Sequence, residues 1–380
     1  MRHERHAKLQ AELERQGMDG LVLLGTAAVA YATGAAMPGV DSARASLQRP
    51  VAVVVRGSDE PHLFTMYPEG AALAGDHLHP PIFPDLDAGV PGMAAALDAL
   101  FSRDARLGVD ELTHPMRQGL ADRRFVSAAA VLGAAKLCKT PDELACVRAA
   151  QRINEAAMTD VETRVVPGVR QVDLSAVFLR RIFELGATSN GIDPIWQVMP
   201  TTRAEGPWTT HGGVAFPTPT SDRIVREGDV IWVDTGIDFE GYASDFGRTW
   251  VVGGKVSDRQ RSQFRRWRDV CEATLAVCKP GATALDLGRA AIAANDGVKP
   301  WIDHFYLAHG VGTDSAEMPL IGTDLGESFD EHFVLAPGMV LVLEPVIWDD
   351  GAAGYRSEDI YAVTDDGWVA LSDHPYTPFS

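Results

Sequence analysis

The chain has 380 residues, of which 46% are hydrophobic and 23% are charged, so it is long enough to bury two ordinary cores. Its 34 basic and 52 acidic residues give a net charge of −18, which repels phosphate backbones and anionic lipid surfaces. Nucleic acid and membranes are therefore not expected as partners. We find neither an uninterrupted apolar run of about 18 residues nor a signal-type segment after Met1, so a cytoplasmic location is predicted.

The first third of the sequence predicts a small α/β domain. A helix-like pattern with Leu9 and Leu13 on one face precedes the apolar run at residues 20–25. Strand-like and helix-like segments then alternate, as in the apolar run at 51–55 and the Ala-rich stretch at 92–100. We predict an N-terminal domain over residues 1–135 and a C-terminal domain over residues 136–380.

The C-terminal domain begins with a strong helix-start signal. Thr140 is a good N-cap residue, Pro141 suits the first helical position, and Glu143 completes a capping box. A long helix is predicted from this point to about Thr163.

The rest of this domain contains two related halves. Each half has a Pro-Gly turn followed after four residues by Asp-Leu, at 167–174 and again at 280–287. Each also has an apolar strand that ends on a carboxylate, Asp234 in one half and Glu344 in the other. A hairpin return then carries a further carboxylate, Asp245 or Glu358. These matched positions predict two hairpins that face each other across a pseudo-two-fold axis.

Four carboxylates brought together in this way indicate a metal site. Buried like charges raise one another's pKa and cost several kcal/mol unless a cation neutralises them. His309, between glycines in the segment LAHGVG, offers an imidazole ligand, and strand alternation predicts that Phe305, Leu307 and His309 share one face. Oxygen ligands with one imidazole suit two divalent ions such as Mn²⁺, Fe²⁺, Co²⁺ or Zn²⁺, and such a pair generates hydroxide near neutral pH.

These motifs resemble the pita-bread metallohydrolases, a family that includes prolidase, aminopeptidase P, methionine aminopeptidase and creatinase. The matching features are two aspartates with ten residues between them, an HGxG histidine, a Glu-Pro dipeptide and an RxED motif. In this sequence they are Asp234, Asp245, His309, Glu344-Pro345 and residues 356–359. The segments YATG at 31–34 and KTPDEL at 139–144 resemble the prolidase and creatinase branch. The resemblance implies an α+β protein, in which a creatinase-like N-terminal α/β domain precedes a pita-bread domain, and it implies a homodimer.

The resemblance also implies a role for each ligand. Asp234 would bind one ion, His309 and Glu344 the other, while Asp245 and Glu358 would bridge both. Glu344 would also pass the proton of the nucleophilic hydroxide to the leaving nitrogen. Manganese is the metal expected first, with cobalt, zinc or iron as alternatives.

Substrate contacts are predicted at His211 and Arg356. His211 precedes the first aspartate as a family histidine does. Arg356 has the same strand parity as Glu358, so it points into the pocket and holds a substrate carboxylate, or else it orients a ligand carboxylate. The family's second histidine, from an HExP motif, is replaced here by Ala316. The hydroxyl of Tyr355 or Tyr242 is a candidate replacement donor.

Four aromatic residues are candidates for an apolar subsite that holds a proline ring, although packing in a core is the commoner role of such residues. They are Trp196, Trp208, Phe216 and Trp301.

The sequence thus predicts a metal-dependent hydrolase of the amide bond before proline in Xaa-Pro dipeptides or short peptides, a prolidase or an aminopeptidase P. The first alternative is a small-molecule C–N hydrolase or lyase on the same scaffold, similar to creatinase, ectoine hydrolase or dimethylsulfoniopropionate lyase. The absent imidazole at Ala316 favours that alternative, whereas the complete set of five ligands argues against a creatinase-like enzyme without metal. A catalytically silent binding module is the second alternative, and the complete ligand set disfavours it.

Overall fold

The computed structural model describes residues 1–35, 49–66, 68, 71–202, 221–302, 305–323 and 325–380. Within these ranges the chain forms two compact units, Met1–Lys136 and Leu137–Ser380. None of the helices found there combines the length and apolar character needed to cross a membrane.

The first unit is built on a mixed six-stranded sheet. In chain order its strands are Gly20–Leu23 (β1), Val51–Val55 (β2), His62–Phe64 (β3), Leu78–His79 (β4), Arg106–Val109 (β5) and Arg124–Ser127 (β6). Their order across the sheet is β4-β3-β2-β1-β5-β6. The pairs β1–β5, β5–β6 and β3–β4 are parallel, whereas β2 runs antiparallel to both of its neighbours.

Helices cover both faces of this sheet. They are Arg2–Gln16 (α1), Thr26–Thr33 (α2), Val90–Leu100 (α3), His114–Gly119 (α4) and Ala129–Leu137 (α5). Leu21 and Leu23 of β1 join the apolar cluster that contains residues of α1, α2 and α5, whereas Val22 joins the cluster that contains residues of α3 and α4. Because neighbouring strand residues point to opposite faces, this division shows helices on each side of the sheet.

The second unit contains five helices in its described residues. They are Pro141–Glu162 (α6), Gln171–Glu184 (α7), Asp258–Val277 (α8), Ala284–Ala294 (α9) and Glu327–His332 (α10). The predicted start of α6 is confirmed, because the Thr140 side chain and Glu143 form a complete capping box and Pro141 is the first helical residue.

The strands of the second unit belong to two halves. The first half has Ser189–Asn190 (β7), Ile195–Val198 (β8), Val230–Thr235 (β9), Ile237–Phe239 (β10), Tyr242–Ala243 (β11) and Phe246–Val251 (β12). The second has Ala308–Gly310 (β13), Glu317–Ile321 (β14), Val340–Leu343 (β15), Val346–Trp348 (β16), Gly354–Arg356 (β17), Asp359–Val363 (β18) and Trp368–Ala370 (β19). The sheet orders are β12-β9-β8 and β11-β10-β7 in the first half, and β14-β13-β15-β18-β19 and β16-β17 in the second.

The two halves match strand by strand, which confirms the predicted repeat. In the first half, β9 lies between β8 and β12; in the second, β15 lies between β13 and β18, and all four pairings are antiparallel. The register matches as well. Trp232 of β9 lies opposite Gln197, and Val342, at the matched position of β15, lies opposite His309. His309 and Gln197 therefore occupy equivalent places in the two halves.

Candidate metal centre

The strand ends of the two halves bring the four predicted carboxylates into one buried cluster. Asp234 lies near the end of β9 and Glu344 directly follows β15, whereas Asp245 and Glu358 directly precede β12 and β18. Their residues are only 1–9% exposed. One carboxylate oxygen from each of Asp234, Asp245 and Glu358 lies within 4.8 Å of the others, a spacing that allows a shared metal ion.

His309 adds its imidazole to this cluster. Its Nε2 atom is 3.2 Å from Oδ2 of Asp245 and 3.4 Å from Oε1 of Glu344, and its Nδ1 atom lies 2.9 Å from the carbonyl oxygen of Gly310. The residue is 3% exposed. The five residues predicted as ligands thus lie together.

Arg356 is the cation of the cluster. Its guanidinium donates hydrogen bonds to Oδ2 of Asp234 at 3.2 Å and to Oε2 of Glu344 at 2.6 Å, and it also pairs with Glu358. The side chain is buried on β17, whose register places Arg356 opposite Val346. In this structure the guanidinium contacts ligand carboxylates, which is the orienting arrangement considered from the sequence.

Burial of the cluster raises the pKa of every ligand carboxyl. For Glu344, loss of solvation, opposed by Arg356 and assisted by the charge of Glu358, raises the pKa to about 8. Burial likewise raises the pKa of Asp234, and it raises the pKa of Asp245 and Glu358 well above the ordinary range. Several negative charges cannot coexist there without a positive partner.

The donor set fits divalent metal ions. Oε1 of Glu344 and Oε2 of Glu358 are buried and accept no hydrogen bond from the described residues, so these oxygens lack the donors that a buried carboxylate normally has. Carboxylate oxygens with one imidazole nitrogen suit Mn²⁺, Fe²⁺, Co²⁺ or Zn²⁺. One guanidinium cannot neutralise four carboxylates, whereas divalent ions can.

Gly247 and Arg248 hold Glu358 in place from the neighbouring strand. The Glu358 N–H donates to the Gly247 carbonyl oxygen at 2.9 Å, and a Cβ atom on Gly247 would lie 2.6 Å from Oε1 of Glu358. Arg248 is also buried; it donates to the Glu358 carbonyl oxygen at 2.6 Å and to Oδ1 of Asp359 at 2.9 Å. Only a glycine at 247 leaves room for this carboxylate.

Helix α6 supports the first half of the cluster through one buried amide. Nδ2 of Asn154 donates to the Thr235 carbonyl oxygen at 2.9 Å and to the Ser244 hydroxyl at 3.0 Å, and its Oδ1 accepts from the Thr235 hydroxyl. Thr235 and Ser244 are the neighbours of Asp234 and Asp245. The position of both aspartates therefore depends on Asn154.

The hydroxyls of the two tyrosines predicted as donors bond to residues outside the cluster. Tyr355 points to the other side of β17 from Arg356, is 1% exposed, and packs in the aromatic core against Phe264 and Trp267. Its hydroxyl accepts a hydrogen bond from Ser357. The Tyr242 hydroxyl donates to Oε1 of Glu143 at 2.9 Å. Tyr355 is therefore enclosed by core side chains.

The predicted aromatic subsite is not assembled by the residues that are described. Trp196 is fully buried in the apolar core of the first half, stacked near Trp250. Trp301 packs at the margin of the other core. Trp208 and Phe216 lie outside the described residues, as does His211.

Ala316 is exposed and directly precedes β14. The next residue, Glu317, forms a buried ion pair with Lys139, with 2.6 Å between Nζ and Oε1. This pair joins the start of α6 to the hairpin that carries His309.

Tyr306 lies beside the cluster, a position that the sequence pattern does not predict. Its ring centroid is 4.9 Å from that of His309. The predicted alternation of Phe305, Leu307 and His309 is wrong, because the strand begins only at Ala308 and Leu307 belongs to the apolar core. Burial and then the charges of Glu344, Asp245 and Glu358 raise the pKa of Tyr306 above its ordinary value.

Comparison with known families gives the context of this centre. The family profile described as metallopeptidase family M24 matches residues 145–365, which contain all five clustered residues. The chain belongs to metallopeptidase family M24. Residues 5–144 match the creatinase/prolidase N-terminal domain, so the M24 fold is here preceded by that domain. The predicted family and two-domain fold class are confirmed.

Curated relatives align with about two thirds of this chain. A probable dipeptidase, PepE, of Mycobacterium tuberculosis is 31% identical over 66% of this chain and 62% of its own length. An uncharacterized peptidase, YqhT, of Bacillus subtilis is 29% identical over 67% of this chain and 68% of its own. An Xaa-Pro dipeptidase of Pyrococcus furiosus is 28% identical over 62% of this chain and 63% of its own length. The aligned segments thus span about two thirds or less of these relatives.

Solved structures share the fold over nearly the whole chain. The prolidase from Pyrococcus horikoshii superposes with a TM-score of 0.76 at 21% identity, covering 98% of this chain and 99% of that one. The recombinant prolidase from Thermococcus sibiricus gives a TM-score of 0.78 at 21% identity, covering 99% and 98%. At these identities the similarity establishes the architecture.

Proposed function

We propose that this M24 protein is a metal-dependent Xaa-Pro dipeptidase that hydrolyses the amide bond before proline in dipeptides or short peptides. The observation that carries the proposal is the buried cluster of Asp234, Asp245, His309, Glu344 and Glu358. The relatives named as dipeptidases support the choice of substrate.

The five clustered residues would hold two divalent ions. Asp234 is proposed to bind one ion and His309 with Glu344 the other, with Asp245 and Glu358 between them. When bound, the ions supply a nucleophilic hydroxide near neutral pH and polarise the scissile carbonyl. Manganese is the metal proposed first.

Residues of the chain itself would transfer protons and orient the clustered carboxylates. Glu344 has one oxygen on Arg356 and another without a donor, so the second oxygen is available to accept a proton from the nucleophile and pass it to the leaving nitrogen. Arg356 holds Asp234 and Glu344 in fixed orientations through its hydrogen bonds. We retain His211 as a proposed contact to the substrate.

A small-molecule C–N hydrolase or lyase on this scaffold is the second candidate. Ala316 favours it, because a methyl group there offers no hydrogen bond to a peptide substrate. A hydrolysis assay with a panel of peptides distinguishes the two candidates.

The experiment is a hydrolysis panel with purified protein that has been treated with chelator and then supplied with Mn²⁺, Co²⁺ or Zn²⁺. The substrates are Xaa-Pro dipeptides, Xaa-Pro-Yaa tripeptides, and matched Xaa-Ala peptides as controls. We expect metal-dependent release of proline from dipeptides. Glu344→Ala should bind less metal and lose turnover, because it removes an anionic ligand and the proposed proton carrier.

Each other outcome contradicts part of the proposal. Tripeptide cleavage alone would assign an aminopeptidase P activity instead. No cleavage of any peptide by a protein that has bound two metal ions would favour the small-molecule candidate. Full activity in chelator would exclude the metal mechanism.

The proposal also includes a homodimer in the cytoplasm, as implied by the family resemblance. Sedimentation velocity at assay concentration measures whether the protein is a dimer. A fully active monomer would contradict the proposed homodimer.

A further inference from the structure

We propose that Tyr306 is a catalytic residue whose hydroxyl donates a hydrogen bond to the carbonyl oxygen of the scissile bond as that oxygen becomes anionic. This assignment rests on the proposed amide hydrolysis and adds a group that the five ligands do not supply.

The position of Tyr306 is the first support. Its ring lies against the ring of His309, with 4.9 Å between centroids and an interplanar angle of 56°. It is half-buried, in contrast to the ligands, which are enclosed. A side chain in contact with a ligand and also reached by solvent lies where a substrate would approach the centre.

The second support is the state of the hydroxyl. It makes no hydrogen bond with the described residues, whereas the Tyr242 and Tyr355 hydroxyls bond to Glu143 and Ser357. A phenol hydroxyl can donate a hydrogen bond. In the described part of the chain, no acceptor competes for the proton of the Tyr306 hydroxyl.

The third support is the occupation of the other donors near the ligands. The guanidinium of Arg356 is used by Asp234, Glu344 and Glu358. The ammonium group of Lys139 is paired with Glu317. Of these three side-chain donors, Tyr306 is thus the one that the described residues do not already pair with an anion.

The chemistry of amide hydrolysis needs such a donor. When hydroxide adds to the carbonyl carbon, the π electron pair of the carbonyl moves to oxygen, and a tetrahedral species with an anionic oxygen forms. Its collapse restores the carbonyl, breaks the C–N bond and sends a proton to the leaving nitrogen. A fixed donor stabilises the anionic oxygen more than the starting carbonyl, so it acts on the rate rather than on binding.

The test is Tyr306→Phe, which removes only the hydroxyl and keeps the ring against His309. Loss of one such donor typically lowers kcat by about 10²-fold to 10³-fold. We expect a fall in kcat of this size with KM nearly unchanged and with the metal content of the wild type, measured by plasma emission spectrometry. The matched control is Tyr361→Phe, because that ring packs edge-on against Trp368; it should retain wild-type kinetics.

A binding measurement gives a second readout. A phosphinic acid isostere of an Xaa-Pro dipeptide carries anionic tetrahedral oxygens, whereas free proline does not. Calorimetry should show that Tyr306→Phe weakens the phosphinate by a factor similar to the loss in kcat/KM and leaves proline binding unchanged.

Several results would overturn the assignment: unchanged kcat, a rise in KM alone, or a loss of metal that accounts for the loss of turnover. These results differ from failure of the proposed function, in which the wild-type protein itself would release no proline.

Discussion

At the scale of single residues, the centre is a set of carboxylates that the protein alone does not neutralise. Arg356 contacts Asp234, Glu344 and Glu358, yet the pKa of Glu344 remains raised to about 8 because burial outweighs the guanidinium. Charge that the protein leaves unmatched in a buried site favours binding of cations.

We predict that Gly247→Ala disrupts the centre without unfolding the protein. The new Cβ atom would lie 2.6–2.8 Å from the Glu358 carboxylate, so that side chain must move. If Glu358 ligates metal as proposed, displacing its carboxylate should lower metal affinity by about 10-fold to 100-fold, measured by metal titration of the apoprotein.

The matched control is Gly288→Ala in α9, where the nearest atom to a new Cβ is 3.9 Å away on Trp301. This variant should bind metal normally and gain about 0.5–1 kcal/mol in stability, because alanine is the better helix former. Wild-type metal affinity in Gly247→Ala would show that Glu358 is not tightly held.

We predict that Ala316→His folds normally. Ala316 is exposed, so an imidazole there extends into solvent rather than into a core. Its melting temperature, measured by circular dichroism, should agree with that of the wild type within about 2 °C, since surface substitutions usually change stability by less than 0.5 kcal/mol. A clear loss of the folded state would mean that the segment before β14 is packed around a small side chain.

At the scale of elements, the sequence could predict the four clustered carboxylates because they stand beside apolar strands at matched places in two halves. Asp234 and Glu344 lie at strand ends, whereas Asp245 and Glu358 directly precede the returning strands. Asp234, Asp245, Glu344 and Glu358 follow from that pattern. Asn154 could not be found in this way, because its partners Thr235 and Ser244 lie 81 and 90 residues away. Tyr306 was missed for a local reason: residues 305–307 precede β13, so strand alternation does not apply to them.

We predict that Asn154→Ala destabilises the second unit. The substitution removes the side-chain donor to the Thr235 carbonyl and the acceptor of the Thr235 hydroxyl, both of which are buried. Each buried polar group left unsatisfied costs about 1–3 kcal/mol. Urea unfolding should show a lower midpoint with an unchanged slope.

Asn190→Ala is the comparison for this variant, because the Asn190 side chain makes long hydrogen bonds of 3.4 and 3.5 Å with the described residues. It should change stability by less than about 0.5 kcal/mol. Equal effects of the two substitutions would contradict the supporting role of Asn154.

At the scale of the whole molecule, the two units should respond to pH in opposite directions when metal is absent. In the second unit the folded pKa of Glu344 is raised from 4.5 to about 8, so its contribution to stability is present below about pH 4.5 and is lost as the pH rises to about 8. We expect the metal-free second unit to melt at a lower temperature at pH 8 than at pH 6.

Tryptophan fluorescence measures this unit selectively, because all eight tryptophans lie beyond residue 137. Metal should reverse the trend, since ions bind the deprotonated carboxylates and displace protons. A metal-free melting temperature that rises between pH 6 and pH 8 would contradict the raised pKa values.

In the first unit the effect of pH on stability has the opposite sign. The ring of His62 stacks on that of His77, and its Nδ1 atom lies 3.0 Å from the Nε2 atom of His79. Burial, with the charges of both neighbours, lowers the pKa of His62 from 6.5 to about 4. A base with a depressed pKa stabilises the fold above its unfolded pKa, so this stability is lost as the pH falls from about 6.5 to about 4.

We expect far-UV circular dichroism at pH 5 to show an early transition that tryptophan fluorescence does not follow. His62→Phe, which keeps an aromatic ring against His77, should reduce the pH dependence of that transition. The part that remains would come from His79, whose pKa is also lowered by burial. If the transition persists unchanged, the histidine cluster is not its cause.

The matched halves of the second unit are alike in strand pairing but are not interchangeable. Neither half holds the whole cluster, because one supplies Asp234 and Asp245 and the other supplies His309, Glu344 and Glu358. A half-length ancestor would have needed a second copy of itself to gather four carboxylates. Two identical chains carry the same residue at every equivalent place, yet Gln197 and His309 occupy equivalent places here. Two identical halves would therefore carry either two glutamines or two histidines there, and could not supply a single imidazole to the cluster.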